Sequence, residues 1–199
     1  MSFIRIINES VNTEVGVPMD NGENCYRRFL EGDDNAFGEL LDIYSDNLIF
    51  FINRYVHNIP VAQELSEDVF VELLIHKRRY NFKTSLKTYI FTIARNKSVD
   101  YIRRCVKNPE CAYEYIESES DRLNLEDEFI KRERERELHR AIDKLSEDYK
   151  AVLHLIYFED MSYTQAGKVM KKSKKQIENL VYRARLALKK EIEKEAKLP

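Results

Sequence analysis

Two serines near the C-terminus, eleven residues apart, open the same four-residue pattern. Ser162 is followed by Gln165, and Ser173 is followed by Gln176. In a Ser-x-x-Gln capping box the serine oxygen accepts a backbone N–H of the first helical turn, and the glutamine caps the N–H of the serine. The spacing therefore predicts a short helix, a tight turn and a second helix, which constrains the fold of this part of the chain more than any other feature.

The helix expected after Ser173 has one apolar side and one basic side. At about 100° per residue, one stripe gathers the apolar residues, which we expect in the core: Ile177, Leu180, Val181, Ala184 and Leu188. The opposite side holds Lys175, Glu178, Asn179, Tyr182, Arg183 and Lys189. Residues 171–190 carry eight Lys or Arg and one acid, a local charge of +7, whereas the whole chain has a net charge of only -2.

A short helix, a tight turn and a longer basic helix predict a helix-turn-helix, whose second helix fits the DNA major groove. Asn and Gln can bond to adenine there, Arg to guanine, and Lys can neutralise phosphate. An ordinary solvated face of two antiparallel helices is the alternative. The residues expected to contact DNA are Lys174, Lys175, Gln176, Glu178, Asn179, Tyr182 and Arg183.

The composition favours an all-α fold. Only five Gly and four Pro occur in 199 residues, of which 43% are hydrophobic and 34% charged. Cys25, Cys105 and Cys111 have no metal-ligand spacing, so we expect reduced thiols and neither a metal nor a cofactor. Because no apolar run approaches the roughly eighteen residues of a membrane span and residues 1–20 lack a basic signal region, we expect a cytoplasmic protein with no membrane insertion.

Helical spacing and its interruptions divide the chain into two small helical domains joined by a flexible acidic linker. We expect an N-terminal arm at 1–22, a helical domain at 23–104, the linker at 105–130 and the helix-turn-helix domain at 131–199. Breaks at 31–35, 57–60 and 80–85 predict about four helices in the first domain. The linker has seven acids among residues 114–128.

Two segments of the first domain have the composition of binding surfaces. On a helix from about Val61 to Arg78, an inward stripe contains Ala62, Leu65, Val69 and Leu73. Acids and exposed aliphatics share the outer face, which indicates a protein partner or, alternatively, a merely solvated face; these residues are Glu64, Glu67, Asp68, Val71 and Ile75.

Residues 81–104 interleave aromatic and cationic side chains, the combination that binds single-stranded DNA. They are Phe82, Tyr89 and Phe91 with Lys83, Lys87, Arg95, Lys97, Arg103 and Arg104, and each aromatic taken singly is more often a core residue. Lys97 projects into the apolar stripe, and the pattern gives no reason for it.

Four blocks together resemble the extracytoplasmic-function (ECF) group of the sigma-70 family of bacterial RNA polymerase sigma factors. "GDDNAFGELLDIY", "AQELSEDVFVELL" and "SLKTYIFTIARNKSVDYIRR" are similar to the three blocks of the N-terminal domain of that family, in the same order. "LSEDYKAVLHLIYFEDMSYTQAGKVMKKSKKQIENLVYRARLAL" is similar to its C-terminal domain.

The resemblance implies a sigma factor, itself not an enzyme, that binds core RNA polymerase and promoter DNA, with an anti-sigma factor as a further partner. The C-terminal domain would recognise the upstream −35 element through the helix after Ser173. Glu64, Glu67, Asp68, Val71 and Ile75 would bind the polymerase clamp. The N-terminal domain would bind and help melt the downstream −10 element through Phe82, Lys83, Ser85, Tyr89, Arg95, Asn96 and Arg103. The loop around Phe82 to Ser85, together with Asn96, would capture a flipped base there.

The chain departs from the family pattern at four places. Lys171 or Lys172 stands where the turn usually has Gly, and Ala166–Gly167 replaces a common Ile–Ala. Tyr89 stands where Trp is frequent, and Glu67 where Gln is usual. The turn must therefore form without the residue that most easily adopts a positive φ.

Two other functions fit parts of the pattern. A one-component transcription regulator would use the same helix-turn-helix without touching the polymerase. A DNA recombinase would need a marked nucleophile, but none of the twelve Tyr is so marked, and His57, His76, His139 and His154 are scattered. The acidic linker could be a tether, a strand in the polymerase channel, or a mask for the basic residues 171–190.

Overall fold

A computed structural model describes residues 21–108, 138 and 140–195. Within these ranges the secondary structure is helical and contains no strand, which confirms the all-α fold. The chain divides into two compact units, one containing residues 21–108 and the other residues 138 and 140–195. Residues 1–20 of the expected arm and the acidic residues 114–128 lie outside the described residues, whereas Asn21 and Gly22, which were expected to belong to the arm, are the first two residues of a helix.

The N-terminal unit consists of four helices, as expected from the three breaks. They are α1 (Asn21–Leu30), α2 (Asn35–Val56), α3 (Ile59–Ile75) and α4 (Leu86–Lys107). Two ends differ from expectation, since α4 continues three residues beyond Arg104 and α3 ends before Arg78. The domain boundaries themselves remain predictions.

Side-chain caps explain where α3 and α4 begin. Asn58 is extended and its side chain accepts the N–H of Val61 at 3.1 Å, with Pro60 in the first turn, where a missing N–H costs nothing. Ser85 accepts the N–H of Thr88 at 3.3 Å in the same way. The helices that carry the candidate binding residues of this unit therefore have fixed starting points.

The early end of α3 has a specific cause. The N–H of Arg79 donates to the carbonyl of His76 at 2.8 Å, which closes a turn instead of another helical turn. The hydroxyl of buried Tyr26, from α1, donates to the carbonyl of Lys77 at 2.9 Å. A carbonyl beyond the end of α3 is thus satisfied from another helix.

The core of this unit forms around α2, which packs against α1, α3 and α4. Leu40, Leu48 and Phe51 of α2 are fully buried, and the Phe51 ring lies edge-on to Phe91 of α4 at 5.1 Å between centroids. The inward stripe expected for α3 is confirmed, because its four members are all at most 5% exposed: Ala62, Leu65, Val69 and Leu73.

In the C-terminal unit, residues 140–143 are helical and are followed by three labelled helices. These are α5 (Glu147–Leu153), which continues as a π-helical turn at His154–Phe158, then α6 (Tyr163–Met170) and α7 (Lys174–Glu195). The short helix, tight turn and longer helix predicted from the paired serines are α6, residues 171–173 and α7.

Both capping boxes form. The N–H of Gln165 donates to the Ser162 oxygen at 3.3 Å, and the N–H of Ser162 donates to the Gln165 side-chain oxygen at 2.9 Å. The corresponding distances for Ser173 and Gln176 are 3.2 and 2.7 Å. Because both serine N–H groups are satisfied, the two helix starts are fixed by local interactions.

The turn between α6 and α7 forms without a glycine in it. Lys171 adopts the left-handed conformation, with φ 55° and ψ 43°. The carbonyl of Gly167 accepts the N–H groups of Lys171 and Lys172, the latter at 2.9 Å. A Cβ on Gly167 would lie 2.7 Å from the carbonyl oxygen of Lys172. Because Gly167 has no side chain, the Lys172 carbonyl can approach α6 and the turn can close. Glycine is therefore required in the helix before the turn and not in the turn itself.

Substitutions at these two positions should have opposite effects on stability. Lys171→Gly should stabilise the chain by about 0.5–1 kcal/mol, because relief of the left-handed strain outweighs the lost backbone rigidity. Gly167→Ala should destabilise it by about 1–3 kcal/mol through the clash with the Lys172 carbonyl. Gly38→Ala in α2, where an added Cβ meets nothing within 4 Å, is the control and should be mildly stabilising. Calorimetric unfolding measures all three, and an unchanged Gly167→Ala variant would contradict this account.

The cysteines correct one expectation. Cys25 is a buried thiol whose pKa is raised, first by burial and then by its hydrogen bond to Glu39. Cys105 is disulfide-bonded, so the expectation of three reduced thiols is wrong for Cys105. In the described part of the chain no His, Cys, Asp and Glu group forms a metal-binding cluster. None of its helices has the length and apolar character needed to cross a membrane.

Candidate DNA and polymerase interfaces

The outward face of α7 is the candidate DNA-binding surface of the C-terminal unit. The apolar stripe is buried at Ile177, Val181, Ala184 and Leu188, while Leu180 is partly exposed. All the residues expected to contact DNA are exposed: Lys174, Lys175, Gln176, Glu178, Asn179, Tyr182 and Arg183. Because the Gln176 oxygen is held in the capping box, its NH₂ group is the part that can reach a base. The roles of these residues stay predictions.

Contacts around the turn hold α7 against the rest of the unit. Lys172 forms an ion pair of 3.1 Å with Asp148 in the first turn of α5. Tyr163, at the start of α6, has a raised pKa because of burial, an effect that Arg185 opposes and Glu178 reinforces. The Tyr163 hydroxyl therefore stays protonated at neutral pH, and it interacts electrostatically with Glu178, one of the expected DNA contacts.

The outer face of α3 combines acids with exposed aliphatic side chains, as expected. Glu64, Glu67 and Asp68 are exposed, and Val71 and Ile75 are 48% and 68% exposed. Leu74, which sequence reasoning missed, adds to this apolar surface. Such a surface is what a protein partner can cover.

The acids of α3 are tied to neighbouring elements. The amine of Lys97, on α4, lies 3.5 Å from Asp68 and 3.6 Å from Glu72. Arg79 binds the other oxygen of Glu72 at 3.3 Å. This arrangement gives Lys97, which the sequence pattern left unexplained, a partner on the candidate polymerase-binding helix.

The loop between α3 and α4 is organised around Tyr80. Its ring lies 4.5 Å from Phe82 and 5.2 Å from Tyr89, measured between centroids. Its hydroxyl donates to the Thr84 carbonyl at 2.5 Å, and a carboxylate oxygen of Glu23 of α1 lies 3.3 Å from the same hydroxyl. Tyr80 was missed in the sequence because a buried aromatic just before a loop has no periodicity to mark it.

Phe82 has an unusual backbone conformation and a cation over its ring. Its φ of 59° is unusual for a residue with a side chain. The Arg27 guanidinium lies over its ring, 4.1 Å from the centroid, and is bound by Glu23 at 2.9 Å. The Glu23–Arg27 pair at i, i+4 was visible in the sequence, but its position over Phe82 was not.

The remaining residues expected at the downstream element differ in their exposure and in their contacts within the protein. Ser85 caps α4 and shares a hydrogen bond of 2.8 Å with the hydroxyl of Thr88. Lys83 and Arg103 are exposed, with Arg103 paired to Asp100 at 3.3 Å, while Tyr89, Arg95 and Asn96 are partly exposed. Phe91 is fully buried and therefore belongs to the core, so it cannot stack on a base.

Removing the Arg27 side chain should loosen the loop locally. Arg27→Ala deletes the cation over Phe82 and the partner of Glu23, so amide hydrogen exchange at residues 80–85 should accelerate about two- to five-fold. Mass spectrometry of peptides covering this loop measures the effect. Arg78→Ala, which removes an exposed arginine from the preceding turn, is the control. Equal acceleration in both variants would mean that the Arg27 contact does not hold the loop.

Comparisons with known proteins match both units. Residues 40–106 match the family model for sigma-70 region 2, and residues 135–188 match the model for sigma-70 region 4. The ECF RNA polymerase sigma factor SigW of Bacillus subtilis is 23% identical over 173 residues, covering 81% of this chain and 91% of that protein. The RNA polymerase sigma factor YlaC of the same organism is 27% identical over 167 residues, covering 80% and 94%.

Two solved structures share the fold. CnrH in complex with the cytosolic domain of CnrY has a TM-score of 0.60 and 20% identity, covering 85% of this chain and 96% of CnrH. The sigma factor RpoE in complex with the anti-sigma factor NepR from Bartonella quintana also has a TM-score of 0.60 and 20% identity, covering 79% and 96%.

A helix-turn-helix unit matching region 4 and a four-helix unit matching region 2 define a sigma factor, a promoter-directing subunit of bacterial RNA polymerase. The chain belongs to the sigma-70 family and, with relatives such as SigW and SigM of Bacillus subtilis, to its ECF group. The expectation drawn from the four sequence blocks is thus confirmed. The regulator that does not act through polymerase and the recombinase are not supported.

Proposed function

We propose that the two units divide the work of promoter recognition. The C-terminal unit binds the upstream −35 element with α7, while the N-terminal unit docks on core RNA polymerase with α3 and captures an unpaired base of the −10 element with the 80–85 loop and α4. The observation that carries this proposal is the exposed, basic N-terminal half of α7, fixed at its start by the Ser173 capping box.

For the upstream element, the proposed contacts divide by chemistry. Arg183, Asn179 and Gln176 carry side chains that can bond to base edges, and Tyr182, 65% exposed, can lie against a thymine methyl group or the sugar-phosphate backbone. Lys174 and Lys175 lie in the first turn of the helix, where cations bind phosphates and set the position of the helix on DNA.

Arg183→Ala should weaken binding to the cognate upstream element by about 1–3 kcal/mol and relax the preference at one base position. Sequencing transcripts after overexpression supplies the promoter, and binding to that duplex and to single-base variants is then measured. Lys189→Ala, on the same helix but further from its start, is the control and should not change base preference. An equal loss for Arg183→Ala on every sequence would make Arg183 a phosphate contact instead.

For polymerase docking, the proposed surface is the outer face of α3. Its carboxylates would steer and orient a basic surface of the polymerase, and Val71, Leu74 and Ile75 would supply apolar contact area. Because Glu64 and Asp68 are four residues apart, they lie on the same side of the helix and can engage one partner surface.

Reversing both charges, Glu64→Lys with Asp68→Lys, should reduce co-purification with core polymerase by at least ten-fold, because a basic partner would then meet like charges. Asp42→Lys with Asp46→Lys on α2 is a matched control, with two exposed acids at the same spacing. Circular dichroism verifies the fold of both variants. Unchanged co-purification of a folded Glu64/Asp68 variant would refute this docking surface.

For the downstream element, extruding a base costs a few kcal/mol, which stacking and hydrogen bonds in the pocket must offset. The 80–85 loop is supported by Tyr80 and by the Arg27 contact with Phe82, so it is ordered before any DNA arrives. The edge of Phe82, the Lys83 amine and the partly exposed Tyr89, Arg95 and Asn96 are the groups we assign to the base and its phosphates, with Arg103 further along α4.

The same proposal covers partners and location. The relative RpoE is seen with the anti-sigma factor NepR, and by that likeness we propose that an anti-sigma factor also controls this chain. Transcription takes place in the cytoplasm, where we propose that the protein acts by binding alone, without catalysis. Acidic residues 114–128 of the linker lie outside the described residues, and a role of the linker as a tether, a channel strand or a mask remains a hypothesis.

A further inference from the structure

Lys97 joins the helix that faces the downstream element to the helix proposed to dock on polymerase. Its side chain is only 25% exposed, yet its amine reaches the carboxylates of Asp68 and Glu72 at 3.5 and 3.6 Å. These acids are four residues apart on one face of α3, so a single amine can contact both.

The position of Lys97 explains how a cation lies in an apolar stripe. A lysine can lay its aliphatic stem along an apolar surface while its amine extends to the edge. Here that edge is the face of α3 that carries the exposed acids. Glu72 is shared with Arg79, whereas Asp68 has Lys97 as its neighbour in an ion pair and is itself 56% exposed.

We propose that Lys97 tunes the affinity for core polymerase by competing for Asp68 with a cationic group of the polymerase. This inference rests on the proposed docking surface and adds a residue outside the surface itself. A polymerase Arg or Lys that approaches Asp68 meets the charge of Lys97 and must share the carboxylate with it. Lys97 thereby weakens docking, and its removal strengthens docking.

Because binding free energies are reciprocal, bound polymerase must also affect the ion pair of Lys97. If Lys97 lowers the affinity of Asp68 for polymerase, bound polymerase must lower the affinity of Lys97 for Asp68 by the same factor. Docking therefore loosens an ion pair that connects α3 with α4. Asn96, the neighbour of Lys97 on α4, is one of the residues assigned to the downstream element.

Lys97→Met tests the proposal, because it removes the charge and keeps most of the apolar stem. The dissociation constant of the labelled full-length chain for core polymerase is measured by fluorescence anisotropy at about 0.1 M and about 0.5 M salt. Affinity should rise about two- to five-fold at the lower salt, the range expected for exposed ion pairs, and the gain should shrink at the higher salt. Lys97→Arg, which keeps the charge, should retain the original affinity.

Two controls separate competition from a general change of charge. Lys107→Met removes an exposed lysine ten residues further along α4 and should leave affinity unchanged. In an Asp68→Asn background, Lys97→Met should give a smaller gain, because the contested carboxylate is absent. Unchanged or weaker binding by a folded Lys97→Met variant, or an equal gain from Lys107→Met, would overturn the competition.

The same measurements distinguish a failure of this inference from a failure of the docking surface. If Asp68→Asn weakens binding while Lys97→Met does not strengthen it, Asp68 binds polymerase and the competition is wrong. If Asp68→Asn itself leaves the affinity unchanged, the assignment of Asp68 to the docking surface falls, and the role of Lys97 falls with it.

Discussion

A polar side chain accepting one backbone N–H at the start of a helix is the interaction on which both units depend. Asn58 begins α3, Ser85 begins α4, and Ser162 and Ser173 begin α6 and α7. Each cap fixes which residue starts the helix and therefore which side chains point outward. Every candidate binding surface in this protein lies on, or directly before, a helix that starts in this way.

Two tyrosine hydroxyls hold the segment between α3 and α4 in the N-terminal unit. Tyr26 donates to the carbonyl of Lys77, where α3 has ended, and the Tyr80 hydroxyl donates to the carbonyl of Thr84 and lies close to a carboxylate oxygen of Glu23. The segment between α3 and α4 is thus held at one end by Tyr26 of α1, which bonds to Lys77, and near its other end by its own Tyr80, which bonds to Thr84. Burial raises the pKa of Tyr26 to about 12, so its hydroxyl stays a neutral donor across the physiological range.

Local patterns in the sequence were sufficient for the helices, the caps of α6 and α7, and the exposed faces of α3 and α7. They failed where a contact joins residues far apart in the chain. Arg27 and Phe82 are 55 positions apart and Lys97 and Asp68 are 29 apart, so no periodicity could pair them. The sequence pattern alone did not separate Phe91 from Phe82 and Tyr89, because its burial depends on Phe51 from another helix.

Lysine in place of glycine in the turn before α7 adds a positive charge but puts a residue with a side chain into a left-handed backbone conformation. Lys171 accepts a left-handed conformation, and with Lys174 and Lys175 it places three exposed cations at the positive end of the helix dipole. Such a cluster attracts the phosphate backbone of any DNA, whatever its sequence, and increases the rate of encounter at low ionic strength. Under the proposed role of α7, a domain built in this way would stay near DNA and slide along it while it searches for its element.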